Sequence, residues 1–433
     1  MKINSFRPSG LLLSIYSLMV ISFSLGTYFS VSKFAGGDIR IWEILLLVLL
    51  VLISFKILLT NKILVNSIPA IIFSIILIIF AYISVFNSIE YSLWIKRMLL
   101  FTLFMTLFIV TSYLNSKNIF KINSKLIICS GVIAASWGII ELLLRPQELL
   151  QYGTFIPRAN SFFEEANEFS QYLNLPFGFL LAQYIFNDKK TLINRSSIIL
   201  LLSIVIIAQL ISFSRGGLLA FFSQLLLLTY IYNNKILLFK KILIASVFIT
   251  IFFIIVISTF PKEYININAA LEILYSKTVQ TFSTIDASTS VRFHTIKLGL
   301  TNLENSINNL FFGIGLGSLE LALGNLDILY AGDATTSNFI IDILVETGML
   351  GLFSYLVFII YMLYISQYVS KRLINSEDNN LKVVFYGSYF SIVGLLVGGL
   401  TVATHMHCFF WYICGLIFAS YSIVNKENNM VLY

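Results

Sequence analysis

Apolar stretches close to 20 residues long follow one another through most of this chain, and few charges interrupt them. About 20 such residues span a bilayer as a helix, and lipid offers no partner for an open backbone, so each stretch is read as an α-helix. Segments near 10–30, 41–59, 69–86, 98–114, 126–144, 170–186, 197–213, 217–233, 242–260, 347–367, 383–403 and 408–424 qualify, which gives about twelve spans. With 58% hydrophobic and 11% charged residues the chain cannot cover itself with a water-soluble surface. The expected fold is an all-α, polytopic membrane protein, with a large extracytoplasmic loop between the ninth and tenth helices. Its parts are N-terminal spans (1–144), a loop (145–169), central spans (170–260), the large loop (261–346) and C-terminal spans (347–433).

Charge fixes the orientation. With the N-terminus inside, the inner segments carry 17 basic and four acidic residues, and 14 of the 19 lysines lie there. That obeys the rule that cytoplasmic loops collect positive charge. Both termini are therefore expected in the cytoplasm, and the basic pI of about 9.1 reports orientation rather than nucleic-acid binding. The first apolar segment is too long for a cleaved signal and reads as a retained helix. Cys129, Cys408 and Cys414 fall in apolar segments without metal-ligand spacing.

The arginines break the lysine pattern. Six of nine (Arg40, Arg97, Arg145, Arg158, Arg215 and Arg292) fall in outer connections. Guanidinium is a planar, permanently charged fork suited to bidentate phosphate contacts, so a phosphate-bearing ligand at the outer surface is implied. A lipid-linked sugar pyrophosphate fits that description.

The two long outer connections carry most of the remaining polar residues, and long loops in compact proteins are usually functional. The apolar periodicity near 268–281 and 291–311 predicts short helices lying over the bundle. Arg158-Ala-Asn-Ser-Phe-Phe-Glu-Glu-Ala-Asn-Glu168 precedes the sixth span. There Ser161 and Glu164 have the spacing of a capping box. Glu165 and Glu168 share a helix face, either as a proton acceptor for a sugar hydroxyl or as a solvated first turn complementing the helix dipole. In Ser212-Phe-Ser-Arg-Gly-Gly217 an arginine sits between two apolar runs, facing a cavity or snorkelling to the interface. Its glycines permit tight turning and close approach of a ligand. Arg292 and His294 open a helix, and Gly313-Ile-Gly-Leu-Gly317 reads as a close-packed turn, since no strand–turn–helix context for a dinucleotide accompanies it. Thr335-Thr-Ser-Asn338 leads into the tenth span, where polar residues are ordinarily caps. His405 and His407 read as packing residues, and no metal is expected.

Arg158…Ser-Phe-Phe-Glu-Glu-Ala-Asn167, Phe213-Ser-Arg-Gly-Gly217, Arg292…Phe312-Gly-Ile-Gly-Leu-Gly317 and Ser337-Asn338…Glu346-Thr-Gly-Met-Leu-Gly351 resemble, in this order, the O-antigen polymerase and ligase superfamily. The resemblance covers roughly residues 150–355. It implies a GT-C-like membrane glycosyltransferase of the bacterial cytoplasmic membrane, with its site facing the periplasm. Undecaprenyl-pyrophosphate-linked glycans would be donor and acceptor, with no nucleotide sugar, cofactor or metal. A chain-length regulator and a flippase of the same pathway are the further partners it implies. Arg215 and Arg292 would hold the donor pyrophosphate and Glu165 would act as base, with Arg158, Asn167, His294 and Asn338 contacting substrate. Ligases of the superfamily place a histidine where this chain has Ser337, and polymerases often read Glu-Pro-Asn where it has Glu165-Ala-Asn167. The absent histidine and the Phe-Phe-Glu-x-x-Asn wording favour polymerisation of repeat units over transfer of finished polymer to lipid A core. A flippase for lipid-linked oligosaccharides is the alternative of another class. It needs charged residues along a central cavity, whereas the middle spans here are nearly free of charge.

Overall fold

A computed structural model describes residues 10–26, 30–34, 37–60, 68–114, 117–145, 157–186, 194–231, 287–323, 336–374 and 376–431. Eight helices form the first half: α1 (Gly10–Ser22), α2 (Ile41–Thr60), α3 (Ile68–Ile83), α4 (Tyr91–Leu114), α5 (Lys117–Leu144), α6 (Ala166–Phe186), α7 (Arg195–Ile211) and α8 (Arg215–Ile231). An antiparallel hairpin, β1 (Ser30–Phe34) and β2 (Gly37–Arg40), joins α1 to α2, with Ser30 opposite Arg40. Among the described residues, α9 (Ala287–Glu304) and the short helices α10 (Ile307–Phe312) and α11 (Leu319–Leu323) come next, before the closing spans α12 (Phe339–Leu373), α13 (Asn379–Gly398) and α14 (Cys408–Val431). Each expected span within the described residues is a helix, so the chain is a multi-pass all-α membrane protein. The ninth expected span (242–260) and the expected helix at 268–281 lie outside the described residues.

The α3 sequence explains its place at the rim. Ala70, Ser74, Leu77 and Ala81 recur every three or four residues and are buried, whereas Ile68, Ile72, Ile75, Ile79 and Tyr82 point outward. Large apolar side chains on the outer face are what lipid accepts, and small ones on the inner face let helices approach. At the centre, α6 is buried on nearly every side and packs against α13, α5, α7 and α8. Polar side chains cross-link this centre. Gln209 Nε2 donates to Ser170 Oγ at 2.7 Å, and Gln224 Nε2 donates to Asn174 Oδ1 at 2.8 Å. Such bonds between helices satisfy groups that would otherwise be orphaned in hydrocarbon.

The connections expected on the outer side meet at one end of the bundle. Arg158 Nε donates to Ser212 O at 2.9 Å, tying the approach to α6 onto the α7–α8 turn. Phe339 N donates to Gly399 O at 3.0 Å, joining the start of α12 to the end of α13. Asn87 Nδ2 donates to Gly313 O at 3.1 Å, and Ile89 N to Ser318 Oγ at 3.2 Å, so the α3–α4 connection lies against the glycine turn.

Two local expectations change. Ser161 does not cap α6; its φ is +55° and its Oγ donates to Ala134 O of α5 at 2.8 Å. The hydroxyl is held across helices, and the first turn of α6 closes instead from Glu165 O to Phe169 N. Secondly, the helix read as starting at residue 347 begins at Phe339 and is broken at Gly348, where φ is +71°. The first half-helix carries Asp342 and Glu346, whose charges made it resemble a loop. Both carboxylates are used internally: Asp342 Oδ1 accepts from Thr336 N and Oγ1 at 2.8 and 2.6 Å, and Glu346 Oε1 accepts from Gly317 N at 2.9 Å.

Candidate active site

Three of the expected site arginines converge. The Arg158 guanidinium is half-buried between the start of α6 and the α7–α8 turn, with Nη2 donating to Asn167 Oδ1 at 2.8 Å. Burial pushes its pKa down to about 10; the Glu165 carboxylate opposes that shift, and the Arg292 and Arg215 guanidiniums reinforce it. It stays charged at neutral pH. Arg158, Glu165, Arg215 and Arg292 thus share one electrostatic field, although they come from three segments far apart in sequence. Like charges held together raise the free energy of the empty site, and an anion with several oxygens lowers it.

The α7–α8 turn sets Arg215 as the first residue of α8. Phe213 has a φ of +49°, and Gly217 N donates to Ser214 Oγ at 3.4 Å. The glycines after Arg215 serve protein contacts: a Cβ on Gly216 would strike Thr401, and one on Gly217 would strike Ser170 and Gln209. That corrects the expectation that they leave room for a ligand. They let the start of α8 sit against α6 and the α13–α14 connection.

An open cavity with about 830 Å³ of empty volume adjoins this cluster, and Glu165, Asn167, Glu168 and Ser337 line it together with Arg40 and Arg97. Thr401, which packs on Gly216, and His407 line it as well. Five of the six outer arginines therefore surround one region; Arg145 is exposed at the end of α5. A second cavity, mostly apolar and about 480 Å³ in empty volume, is lined by Leu77, Phe101, Ile343 and Tyr355. Arg97, which also lines the polar cavity, lines this one too.

The other expected residues fall as follows. Asn338 caps α12, its Oδ1 accepting from Ile340 N at 3.0 Å and Ile341 N at 3.3 Å, so that oxygen is engaged within the protein. Asn167 holds Arg158 and lines the cavity. His294 is exposed, and lies about 200° around α9 from Arg292. The two therefore leave the helix on nearly opposite faces. Glu168 is 7% exposed, which removes the solvated-turn reading for it. Arg40, Arg97 and His407 are cavity residues that motif reading left out. The outer arginine excess already pointed to the first two, whereas nothing local in the sequence marks His407.

The Gly313–Gly317 turn is the close-packed turn expected from its sequence. Gly313, Gly315 and Gly317 have φ of +77°, +99° and +81°. Ile314 N donates to Val345 O, and Gly315 N to Glu346 O, so the turn buttresses the break in α12.

Residues 198–356 match the model of the O-antigen ligase family. Over this region the chain is similar to the O-antigen polymerase and ligase superfamily. The matched span runs from α7 into α12, and includes Arg215, Arg292, the glycine turn and Gly348. Glycan transfer of the polymerase or ligase type is the class of activity that goes with it. No curated protein matches the chain.

Proposed function

We propose that the chain is a surface-polysaccharide polymerase, joining undecaprenyl-pyrophosphate-linked repeat units at the outer face of the cytoplasmic membrane. The observation that carries this reading is the convergence of Arg158, Arg215 and Arg292 beside the cavity lined by Arg40 and Arg97. Positive charge assembled before substrate arrives stabilises the charge that grows on a leaving pyrophosphate, at no reorganisation cost during the reaction. Arg97 lines both cavities. The isoprenoid chain of the donor occupies the apolar one, and its pyrophosphate the polar one. Direct attack by a hydroxyl of the second lipid-linked unit forms the new glycosidic bond, inverts the anomeric carbon and releases undecaprenyl pyrophosphate. Glu165 completes the cluster: its carboxylate offsets the charge of Arg158.

Polymerase is preferred to ligase because Ser337, not histidine, lines the cavity before Asn338, and because of the Phe162-Phe-Glu-Glu-Ala-Asn167 wording. The test is a gel profile of surface glycan from a strain lacking the protein, complemented with the native chain or with Arg215→Ala at matched level. Collapse of the ladder to core plus one repeat, rescued by the native chain alone, is expected. Polymer accumulating unattached on its lipid carrier would make the chain a ligase, and an unchanged ladder with Arg215→Ala would remove the arginine assignment.

A further inference from the structure

His407 lines the polar cavity, and the pyrophosphate reading leaves it without a task. Its position is built. The turn Thr404–Met406 precedes it, His407 N donates to Thr404 O at 3.1 Å, and Trp411 Nε1 anchors the same turn through His405 O at 2.8 Å. The imidazole stacks on Phe409 at 4.9 Å between centroids, with 10° between planes. Nδ1 lies 3.9 Å from Glu168 Oε1, which comes from the first turn of α6 and lines the same cavity. Nε2 is buried with no hydrogen-bond partner among the described residues. A buried ring nitrogen left unpaired is costly and needs an explanation, and a bound hydroxyl supplies one.

We propose that His407, oriented by Glu168, takes the proton from the attacking sugar hydroxyl. The inference rests on the glycan-transfer reading of the cavity. The hydroxyl oxygen bonds to the anomeric carbon, and the bond from that carbon to the pyrophosphate oxygen breaks. The electron pair leaves with undecaprenyl pyrophosphate, the hydroxyl proton passes to the imidazole, and Glu168 stabilises the imidazolium until water removes the proton. Glu165 is instead engaged with Arg158, whose charge its carboxylate offsets.

The groups around the imidazole are Glu168 and Glu165 at the start of α6, Arg40 of β2, Arg97 of α4, and His405 and Cys408 of its own segment. Burial first, then Arg40 and His405, push its pKa down to about 3, so the empty site holds it in the neutral, proton-accepting form. A donor pyrophosphate beside Arg40 offsets part of that lowering, and the base strengthens when the site is loaded. Activity that needs neutral His407 is lost as pH falls through its pKa. The acid limb of kcat therefore lies at higher pH than that of kcat/KM, since the first reports the loaded enzyme and the second the free one.

The experiment uses the purified full chain in nanodiscs with lipid-linked repeats extracted from the producing strain. Initial rates are measured against pH for the native chain, His407→Gln, Glu168→Gln, Glu165→Gln and Arg215→Ala. His407→Gln is expected to lower kcat about 100-fold or more, with the acid limb abolished. KM should stay within about threefold. Glu168→Gln should lower kcat by about tenfold and move the acid limb to lower pH, and the double variant should be no worse than His407→Gln. Near-native kcat with the acid limb intact in His407→Gln would overturn the assignment, and loss in Glu165→Gln alone would give the proton to Glu165. If His407→Gln does not accumulate, full kcat with an unshifted profile in Glu168→Gln overturns it. Full activity in Arg215→Ala would instead sink the glycan-transfer reading of this cavity.

Discussion

Single residues at the arginine-bearing end are held in states that suit an occupied site. Ser161, Phe213 and Ser337 each adopt positive φ, at +55°, +49° and +56°. Non-glycine residues in that region cost free energy and cluster where surrounding contacts dictate geometry. The buried imidazoles give a pH prediction. Burial above all holds His405 and His407 at about 3 against an ordinary 6.5. Below 6.5 the unfolded chain binds protons that the folded chain refuses, so stability present above that pH is lost as pH falls towards 3. Each group contributes at most roughly 1.4 kcal/mol per pH unit in that window. The thermal midpoint in detergent should fall on acidification, and His405→Gln should fall less steeply; equal slopes would contradict the assignment. Arg158, Glu165 and Arg215 stood out in the sequence as candidates, because a charge beside an apolar run is conspicuous. His407 did not, because its partner Glu168 is distant in sequence and only folding brings them together.

At the scale of elements, the break in α12 does most to shape the site. Gly348 has φ of +71°, and a Cβ there would meet the carbonyl of Phe311. The glycine turn closes over the same place through Val345 O and Glu346 O. Gly348→Ala should therefore destabilise the chain by about 1–3 kcal/mol, read as a lower thermal midpoint. A midpoint equal to that of the native chain would contradict this. Hydropathy showed the spans because lipid leaves helices little choice, and α3 and α4 follow directly from composition. It failed at Phe339–Thr347, where Asp342 and Glu346 read as loop residues because their donors, Thr336 and Gly317, meet them only in three dimensions. It failed likewise at Ser161, whose capping spacing is outcompeted by a bond to Ala134 O on another helix.

At the scale of the molecule, basic residues gather at two opposite ends. Arg40, Arg97, Arg158, Arg215 and Arg292 gather at one end. Lys371 and Arg372 close α12 at the other, where Lys382 Nζ donates to Ile374 O at 3.2 Å. On the proposed reading, the basic residues at the α12–α13 end follow the cytoplasmic bias of loops, and the arginines at the far end meet the ligand. The orientation predicts labelling: a His294→Cys variant in intact spheroplasts should react with a membrane-impermeant maleimide added outside. A cysteine at Lys371 should react only after the membrane is opened. The reverse pattern would invert the topology and with it the periplasmic site.

The central claim, that the arginine-lined cavity polymerises lipid-linked repeats, is tested most directly by the purified native chain given lipid-linked repeat units alone. The account predicts a ladder of lengthening lipid-linked glycans, with one undecaprenyl pyrophosphate released per bond formed and neither product from Arg215→Ala. No ladder, with labelled repeat units instead crossing the bilayer of sealed vesicles, would contradict it.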